Sequence, residues 1–564
     1  MKNTDVFNDF DMVVSITEKT INDQLTHLLR MGTIHPELII IQTYDKKTKK
    51  YAFKVCKSTD EIPLNDEGGP VRPTISVDIQ PQVTISSSGK IITFIIKFLD
   101  GNAWFWDQPG PDAELVKYDA KGWQYAIAIN MALTQLPKDG SGNIKAPDFV
   151  KNQLDKFTSN MFDISHLFMD FQATDLMSYD PIKTKTDSAG DFGKEQLVNF
   201  MKAYLTWLTE TGNPYILGYS ITQNDKTTVS KDEKVPDSLR PTGTTFTMFN
   251  DNKNPALSTL NFALVTKGGY GKIKKNPDIF DTNWISPQDQ CDAKMIYAAS
   301  RFSEEFVMKP LFNKLNDDTY NALKGSLTLG PKKSYQQARK ATSTGYSFEI
   351  FNQDAVSDKY QNNLEVAITN HPAEIHYDVK GNIFVKKINT TNMGFCEAEA
   401  SAQASTGWHA NFIVKVAKDK DGNPALAFEQ FVSIDSHNAS TDKNGCAKFW
   451  SAIGDILDAL LSVFKIFDLG SLTSIITNVF RTNIPGIGDI NVALGNLDNS
   501  FNGAVMLPAG GVFFFKNPSA DATGNVSLSL TYKTDSKVAA TARKFQQKFM
   551  ALKGKRRVSL AAIK

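Results

Sequence analysis

The chain has 564 residues, 41% of them hydrophobic and 22% charged, more than one hydrophobic core serves and too apolar for wholesale disorder. Its 62 Lys and Arg against 61 Asp and Glu give no overall charge that would draw a polyanion. Nine of those basic residues lie between Lys537 and Lys564 with no acidic residue among them, leaving the rest net acidic at 53 against 61; this tail is suited to fold back on the body or to meet anionic lipid or nucleic acid.

From Asp11 the apolar positions Met12, Val13, Ile16, Ile21, Leu25, Leu28 and Leu29 recur at mostly three- and four-residue steps before Gly32, which predicts an amphipathic helix over 11–31. Residues 38–44 and 51–56 are β-prone runs around a Lys-rich turn and predict a hairpin. Residues 74–85, 90–98 and 102–106 continue as strands, and Trp123, Tyr125, Ile127, Ile129 and Met131 alternate as a half-buried antiparallel strand does. Asp180 to Lys194 is polar with Pro181, Gly190 and Gly193, a loop leading to a helix over 195–211 that Gly212 ends. Strands near 215–221, 244–249 and 257–265 complete the first half. The Gly-Gly-Tyr-Gly run at 268–271 and Pro277 mark a connection.

The plan of the first half then recurs. A second helix is expected over 292–315, kinked or ended at Pro310 because proline removes a backbone donor and clashes with the preceding turn. Strands follow near 347–351, 364–368, 374–379, 383–387, 411–416 and 425–434, then near 504–515 and 525–532. Between them, residues 449–467 are apolar except for Lys448, Ser451, Asp455, Asp458, Ser462 and Lys465, which form one narrow polar stripe. Such a helix needs cover on most sides. Its two central aspartates and short length argue against a membrane span. The run fits either simple core packing or the wall of a groove that holds an acyl chain.

Signatures of catalysis are missing. His371 and His376 stand five residues apart across Pro372 and fit no metal motif. Asp435-Ser436-His437 holds the residue types of a hydrolytic triad, but consecutive strand residues point to opposite faces; it reads as a strand ending in a polar turn. Gly268 to Gly271 leads to no helix. The stretch from Asp419 begins like a calcium loop but has Gln430 where a bidentate glutamate belongs. Trp104, Phe105, Trp106 and Trp123 read as core aromatics, with a sugar platform as the alternative. The four cysteines, Cys56, Cys291, Cys396 and Cys446, form no CxxC pair and read as buried free thiols. Met1 to Asp11 lacks the basic start and apolar run of a signal peptide, so a cytoplasmic location or release by a non-classical route is expected.

Several segments together resemble a known family. Phe10-Asp11-Met12-Val13-Val14 running into a helix with Lys19 and Leu25, Val198-Asn199-Phe200, the helix over 299–311, and Leu507-Pro508-Ala509-Gly510-Gly511-Val512-Phe513 are similar to the forty-seven-kilodalton protein family, encoded beside some clostridial neurotoxin genes with the OrfX proteins. That family belongs to the tubular lipid-binding (TULIP) superfamily. At 62.5 kDa this chain is larger, with 317–345 and the basic tail as candidate insertions. The resemblance implies an α+β fold of tandem TULIP-like modules, each a curved antiparallel sheet wrapped around a long helix, over 1–285 and 286–536, with a basic helix or tail over 537–564. It also implies a non-enzymatic protein of a toxin or insecticidal locus that binds phospholipid or fatty acid without a cofactor. Other toxin-locus proteins and a membrane surface are the further partners implied; nucleic acid is not expected. The alternative is an accessory component of a toxin assembly with no ligand. Ile453, Leu457, Leu460 and Phe464 are the candidate lipid contacts, and Lys555, Arg556 and Arg557 the candidate contacts to an anionic head group or surface.

Overall fold

The computed structural model describes residues 6–45, 50–65, 68–137, 162–171, 178–187, 189–212, 214–223, 236–269, 280–324, 327–354, 358–392, 394, 396–418, 424–451, 505–508 and 512–533. Three antiparallel sheets organise these residues.

The central sheet is built from both ends of the chain. It contains β1 (Met12–Thr17), β10 (Pro241–Phe249), β11 (Thr259–Thr266), β12 (Ala293–Tyr297), β20 (Val512–Ala520) and β21 (Val526–Lys533), in the order β10-β11-β1-β12-β21-β20. Outward from the β1–β12 pair the pattern is the same on both sides: a strand that leads into a helix, then the second strand of a hairpin, then the first. Here the predicted helix starts require correction. Met12–Thr17 is a strand with every residue buried, because Val13, Val14, Ile16 and Thr17 are β-branched and the strand lies between β11 and β12. The helix α1 (Glu18–Met31) begins only where the Thr17 hydroxyl accepts the Thr20 N–H at 3.1 Å, and it ends at Gly32, whose φ of 78° suits glycine. The same holds at 292–297, where β12 precedes the helix.

A buried ion pair locks this seam. Asp11 accepts the Thr266 N–H at 2.7 Å and faces Arg301 Nε at 3.8 Å, while Arg301 donates to Thr266 Oγ1 and to the Lys267 and Gly268 carbonyls. Gly269 must lack a side chain, since a Cβ there would lie 2.0 Å from the Asp11 carboxylate. The first two glycines of the Gly-Gly-Tyr-Gly run therefore serve this junction.

The first-half sheet comprises β2 (Glu37–Asp45), β3 (Lys50–Cys56), β4 (Ile75–Thr84), β5 (Ile91–Trp106), β6 (Leu115–Asp119), β7 (Gln124–Gln135), β8 (Phe162–Met169), β9 (Ile216–Gln223) and the short β19 (Val505–Met506). β6 and β8 were not expected from sequence. The helix α2 (Gly190–Thr211) starts five residues before its predicted position. It lies on the sheet's inner face, with the Phe200 ring 4.7 Å from Phe53 and 5.4 Å from Phe105. Gln196 exchanges two hydrogen bonds with the backbone of Trp106. Across the same sheet Asn22 of α1 exchanges two with Val83.

The second-half sheet is a sequential meander of β13 (Arg339–Ala341), β14 (Gly345–Asp354), β15 (Asp358–His371), β16 (Glu374–Asn392), β17 (Glu397–Lys418) and β18 (Pro424–Lys443). Its strands run well past the predicted ends. Asp435-Ser436-His437 ends nothing: β18 continues to Lys443, held by a 19-pair register with β17. Pairing to β17 overrides the turn preference of Ser, Asn and Asp.

Pro310 also does not end its helix. Ser300–Met308 winds as a π-helix, with the Glu304 N–H donating to the Ala299 carbonyl, and α3 (Lys309–Leu323) carries on from it. Proline falls in the first turn of α3, where its missing N–H does little harm. The short α4 (Tyr335–Ala338) and α5 (Gly445–Ser451) flank the sheet. The cysteine expectation fails for one pair: Cys396 and Cys446 form a disulfide, with Cα atoms 6.2 Å apart, while Cys56 and Cys291 are free. The sequence separation of 50 between the partners hid a pairing that the β17–β18 hairpin creates.

Candidate functional site

One side of the second-half sheet faces inward and the other faces solvent. The inward row of β17 reads Ala398, Ala400, Ala402, Ala404, Thr406, Trp408, Ala410, Phe412, Val414, all buried. At its bulky end the indole of Trp408 lies over Gly381 of β16, where a Cβ would come within 2.1 Å of the ring. Glycine at 381 is thus dictated by packing across the strand pair.

The π-helix closes this end with polar anchors. Ser303 Oγ lies 2.9 Å from the Tyr377 hydroxyl and donates to the Gly524 carbonyl at 2.6 Å. Tyr346 donates to Glu304 at 3.2 Å, and Arg339 pairs with the same carboxylate. Burial pushes the Tyr346 phenol up to about 12 and moves Tyr377 upward as well, so both hydroxyls stay protonated and available as donors. Deeper in, Asn362 donates to Thr319 of α3 and to the Tyr360 hydroxyl.

Toward its other end the row changes character. From Ala398 to Ala404 the inward side chains are methyl groups, over roughly 20 Å at a strand's rise per residue. Alanine is a poor strand former, so propensity does not account for four of them along one strand, each of them buried. By alternation Lys387 of β16, opposite Ala402, and Lys443 of β18, opposite Ala400, share this face with the buried Asp358 of β15, which stands directly opposite Lys387. Both lysines are half-buried. The far end is closed by α5. Asn444 bonds the backbone of Glu397 and Glu399 and accepts the Ala447 N–H, and the Cys396–Cys446 disulfide fastens the helix beside the start of β17.

The predicted lipid contacts Ile453, Leu457, Leu460 and Phe464 lie outside the described residues, as do Lys555, Arg556 and Arg557. The alanine row was missed. Its signal is present in sequence as strict period-two alternation from Ala398 to Val414, which an eye tuned to Val, Ile and Phe passes over. The aromatic cluster divides: Phe105 and Trp123 are buried in the core, Trp104 stacks under the Arg72 guanidinium at 4.4 Å, and Trp106 is partly exposed. Asp435 and His437 point opposite ways, the first to His409 Nδ1 at 2.5 Å and the second to Thr406 Oγ1 at 2.7 Å. The calcium-like stretch 419–423 lies outside the described residues. Among the described residues no cluster of three or more His, Cys, Asp or Glu could hold a metal ion, and no helix is long and apolar enough to cross a membrane.

No family model matches the chain and no curated protein matches it. Among solved structures it is similar to P47 from Clostridium botulinum A2 at 10% identity, covering 93% of this chain and 98% of that one with a TM-score of 0.42. It is also similar to P47 of Clostridium botulinum E1, at 9% identity over 93% and 99% with a TM-score of 0.44. A lipopolysaccharide binding protein follows at 8% identity over 93% and 99%, with a TM-score of 0.29. P47 is the toxin-cluster protein whose family the sequence resembles.

Proposed function

We propose that this chain is a non-enzymatic binding protein for an amphiphile with an anionic head, a phospholipid or fatty acid, held along the alanine row of β17. The row itself carries this reading: four inward methyl groups along one strand, with Lys443 on the same face. Desolvation of an acyl chain there contributes about 0.8 kcal/mol per buried methylene, and the Lys443 ammonium suits a carboxylate or phosphate.

Two finer points belong to the same reading. The mirrored order of the central sheet supports tandem modules over 1–285 and 286–536, followed by the basic tail, within a toxin-locus protein. The disulfide favours a protein released into an oxidising environment, where such bonds persist.

The test is native mass spectrometry of the purified chain with organic extraction, on the wild type and on Ala402→Leu. Lipid at near-integral stoichiometry in the wild type, lost from a variant whose near-UV circular dichroism is unchanged, is the expected result. Wild-type stoichiometry in the folded variant would overturn the placement. A clean apo mass with no uptake from offered liposomes would replace this reading with the accessory component.

A further inference from the structure

The solvent side of the second-half sheet is not an ordinary charged face. Across β15, β16, β17 and β18 the register aligns Ala367, Asp378, Asn411 and Phe431, and the next row aligns Glu365, Lys380, His409 and Ser433. The small Ala367 leaves the first row shallow at one end, and an open cleft of about 540 Å³ lies over both rows. That size falls within the range of small-molecule sites. At its border stands the Phe431 ring, 60% exposed and directly opposite Asn411.

The polar groups of the cleft are held in place before any ligand arrives. Asp378 accepts the Thr369 hydroxyl at 3.0 Å and the Asn411 amide at 2.8 Å. The same amide nitrogen lies 3.2 Å from His376 Nδ1, and His376 Nε2 lies 2.8 Å from Glu374, which together select the tautomer protonated on Nε2. Nδ1 of His376 is then the acceptor for Asn411. The amide is oriented from two sides, and its Oδ1, buried beneath the cleft surface, has no hydrogen-bond donor. An acceptor left in this state calls for a hydroxyl or water proton. Asp435 fixes the His409 ring through Nδ1, which leaves Nε2 for another partner.

We propose that this face binds a neutral hexose oligosaccharide, independently of the alanine row on the opposite side of the sheet. An exposed phenyl beside planar amide, carboxylate and imidazole groups matches a pyranose, which has one face of C–H bonds and a rim of hydroxyls that both donate and accept. Charge selects the class. Glu365 and Asp378, with Asp435 beside them, outnumber the Lys380 ammonium, so a sulfated or uronic sugar finds no surplus of cations.

The experiment is calorimetric titration of the full chain with cellohexaose, maltohexaose and N-acetylchitohexaose, on the wild type, Phe431→Ala, Phe431→Leu and Asn411→Ala, with thermal melts of each. The expected result is binding of at least one probe and a loss of about tenfold or more in affinity on both Phe431 substitutions and on Asn411→Ala. Phe431 is exposed enough that its removal leaves the melt unchanged, and Phe431→Leu separates stacking from simple apolar contact. No binding of any probe at millimolar concentration, or binding untouched by Phe431→Ala, would overturn the proposal. So would a change in sedimentation coefficient on Phe431→Ala, which would make the face a contact between copies of this chain.

Discussion

The two outer sheets place different materials on their inner faces. In the first half the space is filled: Phe53, Phe94, Phe105, Trp123, Phe200 and Tyr215 interlock at ring distances between 4.7 and 5.6 Å along two chains of contacts, and Tyr204 closes the polar gap with a 3.0 Å bond to Tyr215. In the second half the inward row of β17 passes from Trp408 to methyl groups, with the buried Val385 and Tyr360 in line beside Ala404. A filled face supplies stability; a face of methyl groups gives up packing area for depth. On the function proposed above, one half supplies stability and the other capacity.

The comparison can be broken most forcefully in the filled half. Phe105→Ala removes a ring at the crossing of α2 and β5 and is expected to cost about 3–5 kcal/mol in denaturant unfolding, with lipid stoichiometry unchanged in whatever remains folded. Loss of lipid from the folded fraction would mean that the first half also holds ligand. The seam between the halves is nearly as sensitive: Arg301→Met strands the Asp11 carboxylate in a buried site, at roughly 3–5 kcal/mol, visible as a lowered Tm. A shift under a degree would show that Asp11 finds other partners.

In the second half, opening the Cys396–Cys446 bond with Cys446→Ser removes a closure of about fifty residues, for which chain entropy gives up to about 4 kcal/mol. Intact-mass measurement before and after reduction checks that the bond is present, and hydrogen exchange should rise at Ala398 to Ala404 first. Unchanged protection there would detach α5 from the alanine row. Gly381→Ala drives a methyl into the Trp408 ring and is expected to cost about 1–3 kcal/mol, read from the same unfolding curve.

The smallest effect is electrostatic. Burial alone would raise the Asp289 carboxyl, but the Lys294 ammonium at 2.9 Å and the Ser286 N–H and hydroxyl outweigh it and hold the pKa below its usual 3.8. A carboxyl lowered in the folded state stabilises above its unfolded pKa and loses that contribution as pH falls through the folded one. Asp289→Asn should therefore lower Tm at neutral pH by the equivalent of under about 1 kcal/mol, and by progressively less in acid as pH falls below 3.8 and through the folded pKa. An equal loss at neutral and acid pH would assign the effect to packing.

Much of this organisation was legible in sequence, and the misses have identifiable causes. α1 announced itself through Ile21, Leu25, Leu28 and Gly32, since a one-sided helix has a periodicity that its own residues carry. Met12–Thr17 did not, because a strand buried on both faces shows no alternation and its apolar run merges with the helix behind it. The ends of β17 and β18 were lost because Ala, Ser, Asn and Asp there are held by cross-strand pairing, a property of the partner strand. The alanine row and the cleft around Phe431 exist only once four strands are in register. The disulfide depends on the same event.

The β1–β12 pair carries one last implication. These strands are joined by ladder hydrogen bonds, with Met12 opposite Tyr297 and Ile16 opposite Ala293, although nearly three hundred residues of chain separate them. A half-chain cut between Val265 and Ala293 presents a raw strand edge that matches the edge left on the other piece. Such fragments are complementary parts: mixed in solution they should reconstitute the ladder, and two whole molecules brought to high concentration can trade halves without changing a single backbone bond.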